Sequence, residues 1–130
     1  MIQLDTHTLL WRELDSSKLS ERARLAILAS HQAREEIAIS AATIWEVAHL
    51  ASRGRIQLAA TREEFLSKIE EDYRVIPISA KIAIEAAGFI DPFPKDPMDR
   101  LIAGTARALD FELITADQLI LRANVCKVLW

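Results

Sequence analysis

Short, almost wholly apolar runs recur along this chain, separated by longer stretches with helical periodicity, and few folds accommodate that alternation. The runs are Met1–Asp5, Ile37–Ser40, Val75–Ile78, Leu113–Thr115 and Val125–Leu129. Strands apolar on both faces belong to a parallel sheet covered by helices on either side; a half-exposed antiparallel sheet would alternate polar and apolar residues instead. Between the runs the spacing predicts helices over Thr6–Glu13, Leu19–Arg34, Ala42–Arg53 and Glu63–Glu71. Two more are predicted, one following Ser79 to about Ala87 and one opened by Asp96. The expectation is an α/β protein, a three-layer α/β/α sandwich with a central parallel sheet. A chain of 130 residues with 3 Gly and 4 Pro has no flexible linker, so residues 1–130 are expected to form a single domain.

The helix boundaries carry local chemistry. Ser40 suits the N-cap of the third helix, and Gly54 its C′ position. The segment Asp96-Pro97-Met98-Asp99-Arg100 is the densest signal. Proline fits the first helical position, where its missing N–H costs nothing, which makes Asp96 the N-cap and Asp99 the third residue. Asp99 then shares a face with Ile102, Ala103 and Ala106, an unusual place for a carboxylate. By itself this permits two readings: a second capping charge that complements the helix dipole, or a functional group aimed at a site.

Several classes of function are disfavoured. One cysteine, Cys126, allows neither an internal disulfide nor a thiolate zinc site, and is expected as a core or strand residue. The N-terminus lacks the basic and apolar regions of a signal peptide, and no uncharged run has membrane-spanning length, so the protein is expected in the cytoplasm, away from membranes. A net charge of −3 opposes nucleic-acid binding by bulk electrostatics, although eleven of the sixteen cationic residues are arginine. His7, His31 and His49 lack zinc-pair spacing, and His7 reads as an exposed residue of the first helix. The glycines Gly54, Gly88 and Gly104 are isolated, which removes the phosphate-cradling loops, and no nucleophile elbow is present.

What remains is a set of carboxylates. In parallel sheets, ligands gather beyond the carboxyl ends of the strands, where strand order reverses. Asp5 follows the first strand, Asp117 follows the fourth, Asp99 starts a helix, and Glu46 lies on the helix after the second strand, beside Thr43, His49 and Leu50. Each alone is ordinary. Together, uncompensated carboxylates repel and raise one another's pKa, and a hard divalent cation, Mg²⁺ or Mn²⁺, resolves that conflict with oxygen ligands.

Four segments now carry a family resemblance: Asp5-Thr6-His7 with Leu10-Trp11, Ser40 through Trp45-Glu46-Val47, Asp96 through Ala103, and Leu113-Ile114-Thr115-Ala116-Asp117. In this order and spacing they resemble PIN-domain ribonucleases, specifically the VapC toxins of bacterial toxin-antitoxin pairs. The resemblance implies a Mg²⁺- or Mn²⁺-dependent endoribonuclease with RNA as substrate, a cognate antitoxin and a homodimer as partners, and a PIN-like fold. It implies Asp5, Glu46, Asp99 and Asp117 as the catalytic set, with Asp5, Asp99 and Asp117 on the metal. Thr115 is implied as their polar companion, with Thr6 and Ser40 in support. Asp96 stays outside the metal set as a cap, and Met98 stands where the family often has Phe. Because an acidic pocket repels RNA, cations must flank it, and Arg12, Arg53, Arg55 and Arg100 are the candidates. Two rival readings are a catalytically silent module of the same fold and a Mg²⁺-dependent phosphotransfer domain. The second lacks its acceptor, since the third strand ends in Pro77-Ile78-Ser79 without an Asp.

Overall fold

The computed structural model describes all 130 residues. Strands β1 (Ile2–Leu4), β2 (Ala38–Ser40), β3 (Arg74–Ile76), β4 (Glu112–Ile114) and β5 (Lys127–Leu129) form one parallel sheet in the order β3-β2-β1-β4-β5. The helices are α1 (Thr6–Leu14), α2 (Glu21–Gln32), α3 (Ala41–Ser52), α4 (Arg62–Asp72), α5 (Ala80–Gly88), α6 (Pro97–Leu109) and α7 (Gln118–Ala123), with a 3₁₀ turn at Ser16–Lys18. None is long and apolar enough to cross a membrane.

Alternation along the strands builds the two cores. Ile2, Leu4, Ile37, Ile39 and Ile114 point to one face, where Leu9, Ala23, Val47 and Ile69 from α1 to α4 cover them. Leu113 meets Ile102, Ala103, Ala106 and Ile120 on the other face, and Ala38 meets Ile82 and Ala108 there. Both faces are therefore buried, as the apolar strands require, and the architecture is the expected three-layer α/β/α sandwich with a central parallel sheet. Helices α5 and α6 approach closely at Gly104: a Cβ there would lie 3.0 Å from both Cβ and N of Ala86.

Several boundaries differ from the sequence expectation. Pro77 has no N–H to pair, so β3 stops at Ile76. Ser20 caps α2 through Ala23 N, leaving Leu19 in extended backbone ahead of the helix. Helix α7 was not expected, because six residues with only Ile120 buried show little periodicity. Gly54 does close α3, at φ +64°. Cys126 is half-buried just ahead of β5, and burial pushes its thiol up to about 11, so it is an inert neutral group at physiological pH.

The strand order contains one reversal. From β1 the chain moves outward through β2 to β3, then returns across the sheet to lay β4 on the other side of β1 and β5 beyond it. The carboxyl ends of β1 and β4 are consequently neighbours at the switch point, where a parallel sheet opens a crevice.

Candidate functional site

The crevice is a cavity of about 230 Å³ with Ile102 and Ile120 in its wall. Asp5, Thr6, His7, Glu46, Asp96, Asp99 and Asp117 complete the lining, with no Lys or Arg among them. Asp5, Glu46, Asp99 and Asp117, which come from four separate segments of the chain, are thus brought together by the fold.

Each acidic side chain is positioned by the element that carries it. Asp5 ends β1 and caps α1, its Oδ1 accepting from Thr8 N (2.7 Å) and its Oδ2 from the Thr115 hydroxyl. It is only 7% exposed. Burial raises its pKa, and the Thr115 hydroxyl and Thr8 amide oppose that shift. Asp117 caps α7 through Oδ1, which accepts from Leu119 N (2.8 Å) and Ile120 N (3.4 Å). Its own backbone amide donates to Thr115 Oγ1 at 3.1 Å, so one threonine joins the Asp5 carboxylate to the Asp117 backbone. Glu46 projects from the second turn of α3 and accepts from Thr6 Oγ1 at 2.7 Å, while Thr6 also meets Thr43 Oγ1 at 3.4 Å. Burial raises the Glu46 pKa first, with Asp96 and Asp5 adding repulsion against the opposing Thr6 bond.

Asp96 is the N-cap of α6: its Oδ1 accepts from Met98 N (2.8 Å) and Asp99 N (3.2 Å). The cap directs Asp99 into the cavity, where its carboxylate has no hydrogen-bond donor from the protein. Burial, then repulsion from Asp96, Asp117, Glu46 and Asp5 in decreasing order, pushes Asp99 up to about 7. The first-listed neighbour is informative. Asp96, read from sequence only as a cap, also lines the cavity and is the strongest like charge on both Asp99 and Glu46. Its place three residues before Asp99, on the same helical turn, was the available signal.

The supporting residues divide. Thr6 and Thr115 touch the acidic groups directly. Ser40 does not reach the cavity; it is buried at the start of α3, accepts from Ala42 N (3.2 Å) and meets Thr105 Oγ1 (3.2 Å), which ties α3 to α6. His7 is exposed, as expected, at the cavity edge.

The proposed cationic flank requires correction. Arg12 lies over the Tyr73 ring, 5.1 Å from its centroid, in a separate depression that shares no residue with the acidic cavity. The C-terminal half of α1 carries it away from the strand ends. Arg100 donates to the carbonyls of Ala86 (3.0 Å) and Phe89 (2.8 Å), and so closes the end of α5 rather than facing the cavity. Arg53 is the exposed C-cap of α3 and does not line the cavity either. Arg55 lines an adjoining groove that shares His7 with it.

The donor set is all oxygen, four carboxylates plus Asp96, uncompensated by any cation and partly withdrawn from water. That chemistry suits a hard divalent ion. The side chains share the cavity without converging as a ready-made cage of three or more ligands.

Removing the Thr115 hydroxyl tests how Asp5 is held. Thr115→Val is expected to destabilise the protein by about 1–3 kcal/mol at neutral pH, since a buried carboxylate loses a charge-assisted hydrogen bond. Urea unfolding of both proteins measures the difference.

Known proteins resemble this chain along most of its length. Residues 2–125 match the PIN domain family. Ribonuclease VapC22 of Mycobacterium tuberculosis is 34% identical over 117 residues, which cover 90% of this chain and 87% of that protein. Among solved structures, VapBC2 from Rickettsia felis bound to a DNA fragment from their promoter superposes with a TM-score of 0.70 at 20% identity, covering 100% of this chain and 99% of that one. FitAcB from Neisseria gonorrhoeae gives 0.68 at 21%, covering 100% and 97%. The chain belongs to the PIN-domain family. Within that family it is of the VapC type.

Proposed function

We propose that this protein is a metal-dependent endoribonuclease, the toxin of a toxin-antitoxin pair. The observation that carries the reading is Asp99: a carboxylate without a donor, held by a capped helix among four others at the sheet's switch point. Similarity to Ribonuclease VapC22 at 34% identity supports RNA as the substrate.

Asp5, Asp99 and Asp117 would hold Mg²⁺ or Mn²⁺, which when bound supplies charge neutralisation at the scissile phosphate and a water acidified toward hydroxide. The chain's own residues prepare for this. The Thr115 hydroxyl donates to buried Asp5, opposing the rise that burial imposes on its pKa, and accepts from the backbone amide of Asp117. Thr6 donates to Glu46 and orients it, while burial raises the Glu46 pKa. Burial and like charge push Asp99 up to about 7, so a bound divalent ion would favour its ionised form. Ile102 and Ile120 restrict water on one side of the cavity.

The solved neighbours are toxin-antitoxin complexes, which supports an antitoxin as partner here. The apolar face left open on α5, with Ile84 72% exposed and Ile90 82% exposed just beyond it, supports a homodimer. The phosphotransfer reading gains nothing, since no Asp follows β3.

The test is cleavage of total RNA by purified protein. Cutting is expected with Mg²⁺ or Mn²⁺, loss with EDTA, recovery on re-addition, and growth arrest on expression that a co-expressed neighbouring small gene relieves. Equal cleavage in EDTA would remove the metal from the reading; no cleavage under any condition would favour a silent module.

A further inference from the structure

No Lys or Arg lines the acidic cavity, yet an RNA strand entering it must leave its flanking phosphates somewhere. Beside it lies a groove of about 620 Å³ between the C-terminal half of α1, the end of α3 and the loop after Gly54. His7 lines both, so the two depressions adjoin at its side chain. Leu10, Leu50 and Ile56 contribute apolar surface to the groove.

Two features of this groove match a nucleotide. The first is aromatic. The rings of His7 and Trp11, one helical turn apart, have centroids 5.9 Å apart, and Trp130 packs against Trp11 at 5.6 Å and holds it in place. An exposed imidazole beside a braced indole offers ring faces on which an unpaired base can stack, whatever its identity. The second is charge. Lys18 and Arg55 are exposed on the groove and neither forms an ion pair. The one carboxylate there, Asp15, accepts from the amide and hydroxyl of Ser17, so the groove sets two cations against one anion. A second cation-bearing depression, around Arg12, Arg34 and Lys68, carries four carboxylates and shares no residue with the acidic cavity, and neither does a third that holds Arg107 beside Asp91.

We propose that this groove is a nucleotide subsite of the RNA substrate: it seats the residue next to the cleaved phosphate, the base against His7 and Trp11 and a flanking phosphate on Arg55 and Lys18. The subsite rests on the ribonuclease reading above and assigns it a route for the strand. Stacking is sequence-tolerant, so the groove adds affinity more than base choice.

The experiment uses full-length Asp99→Asn protein, to prevent cutting, and a short fluorescein-labelled single-stranded RNA of mixed sequence, read by anisotropy. Adding His7→Ala and Arg55→Ala together is expected to weaken binding about tenfold or more. Arg55→Ala alone is expected to reduce the salt slope by about 0.7, the loss of one phosphate contact on a single strand. His7→Phe, which keeps a ring face, is expected to preserve binding, and Arg34→Ala, on the remote depression, to leave it unchanged. His7 and Arg55 are both exposed, and melting curves check that the variants fold. Unchanged affinity in the double variant overturns the subsite, and if the protein without these changes still cuts RNA the ribonuclease reading stands. Groove-dependent binding with no cleavage by the unsubstituted protein removes the ribonuclease reading and overturns the subsite as placed beside a cleaved phosphate, leaving the groove as an RNA-binding surface. Variants that bind RNA normally but lose a co-expressed partner protein assign the groove to that protein and overturn the proposal.

Discussion

Asp99→Asn is expected to reduce RNA cleavage by about a hundredfold or more, with little change in fold. The substitution is nearly isosteric and leaves the cap intact, because Asp96 Oδ1 bonds the backbone amides of Met98 and Asp99 and not the Asp99 side chain. What it removes is the one carboxylate of the cavity that no protein donor engages. Asp5 and Asp117 each give an oxygen to a helix cap; Asp99 gives none, so its charge is wholly available to a cation or a proton. Initial rates on end-labelled RNA at saturating Mg²⁺ measure the loss, and sequencing of RNA ends after brief induction of each protein identifies the cuts that depend on Asp99. A rate within a few-fold of the unsubstituted protein would leave Asp99 as a dipole-complementing charge and nothing more.

The same substitution is expected to stabilise the protein when no divalent ion is present. Asp99 has a folded pKa of about 7 against an ordinary value of 3.8, so the folded state binds its proton more tightly than the unfolded chain does. The stability this confers is complete below about pH 4 and is lost as pH rises through 7. Asn carries no such dependence. In EDTA at pH 8, Asp99→Asn should therefore exceed the unsubstituted protein by about 1–2 kcal/mol, less than full linkage would suggest because the group is partly exposed and screened. That corresponds to roughly 4 °C in Tm per kcal/mol, and the gap should close toward pH 4. Asp5 and Glu46, also raised, contribute in the same direction but are present in both proteins and largely cancel. Mg²⁺ should then raise the Tm of the unsubstituted protein more than that of the variant, because binding relieves the repulsion Asp99 creates. Calorimetry across pH 4–8, with and without Mg²⁺, tests both; equal Mg²⁺ shifts would mean that Asp99 does not share the ion.

Stability and activity are opposed at this residue. A carboxylate that costs stability without a cation is poised to bind one, and such a cost is tolerated where function requires it. The opposition is visible only once Asp96, Glu46, Asp5 and Asp117 are in one cavity, since no pair of them is close in sequence except Asp96 and Asp99.

By itself the sequence determined what depends on near neighbours. Apolar runs specified buried parallel strands because side chains alternate faces and both faces here are apolar. Ser40, Ser79 and Asp96-Pro97 specified helix starts because a cap needs only its own next three amides. Positions of carboxylates after strand ends, together with the family pattern, sufficed to nominate Asp5, Glu46, Asp99 and Asp117. Tertiary structure alone decided how those local units meet. The order β3-β2-β1-β4-β5 arises from crossovers whose packing involves whole helices, and it is this order that sets Asp5 beside Thr115 and Asp117. Asp96 gained a second role only when α6 docked. The arginines were least legible, because a long flexible side chain goes to whichever carbonyl, ring or groove lies within reach. Arg100 found the end of α5, Arg12 the ring of Tyr73, and Arg55 the groove that adjoins the acidic cavity at His7.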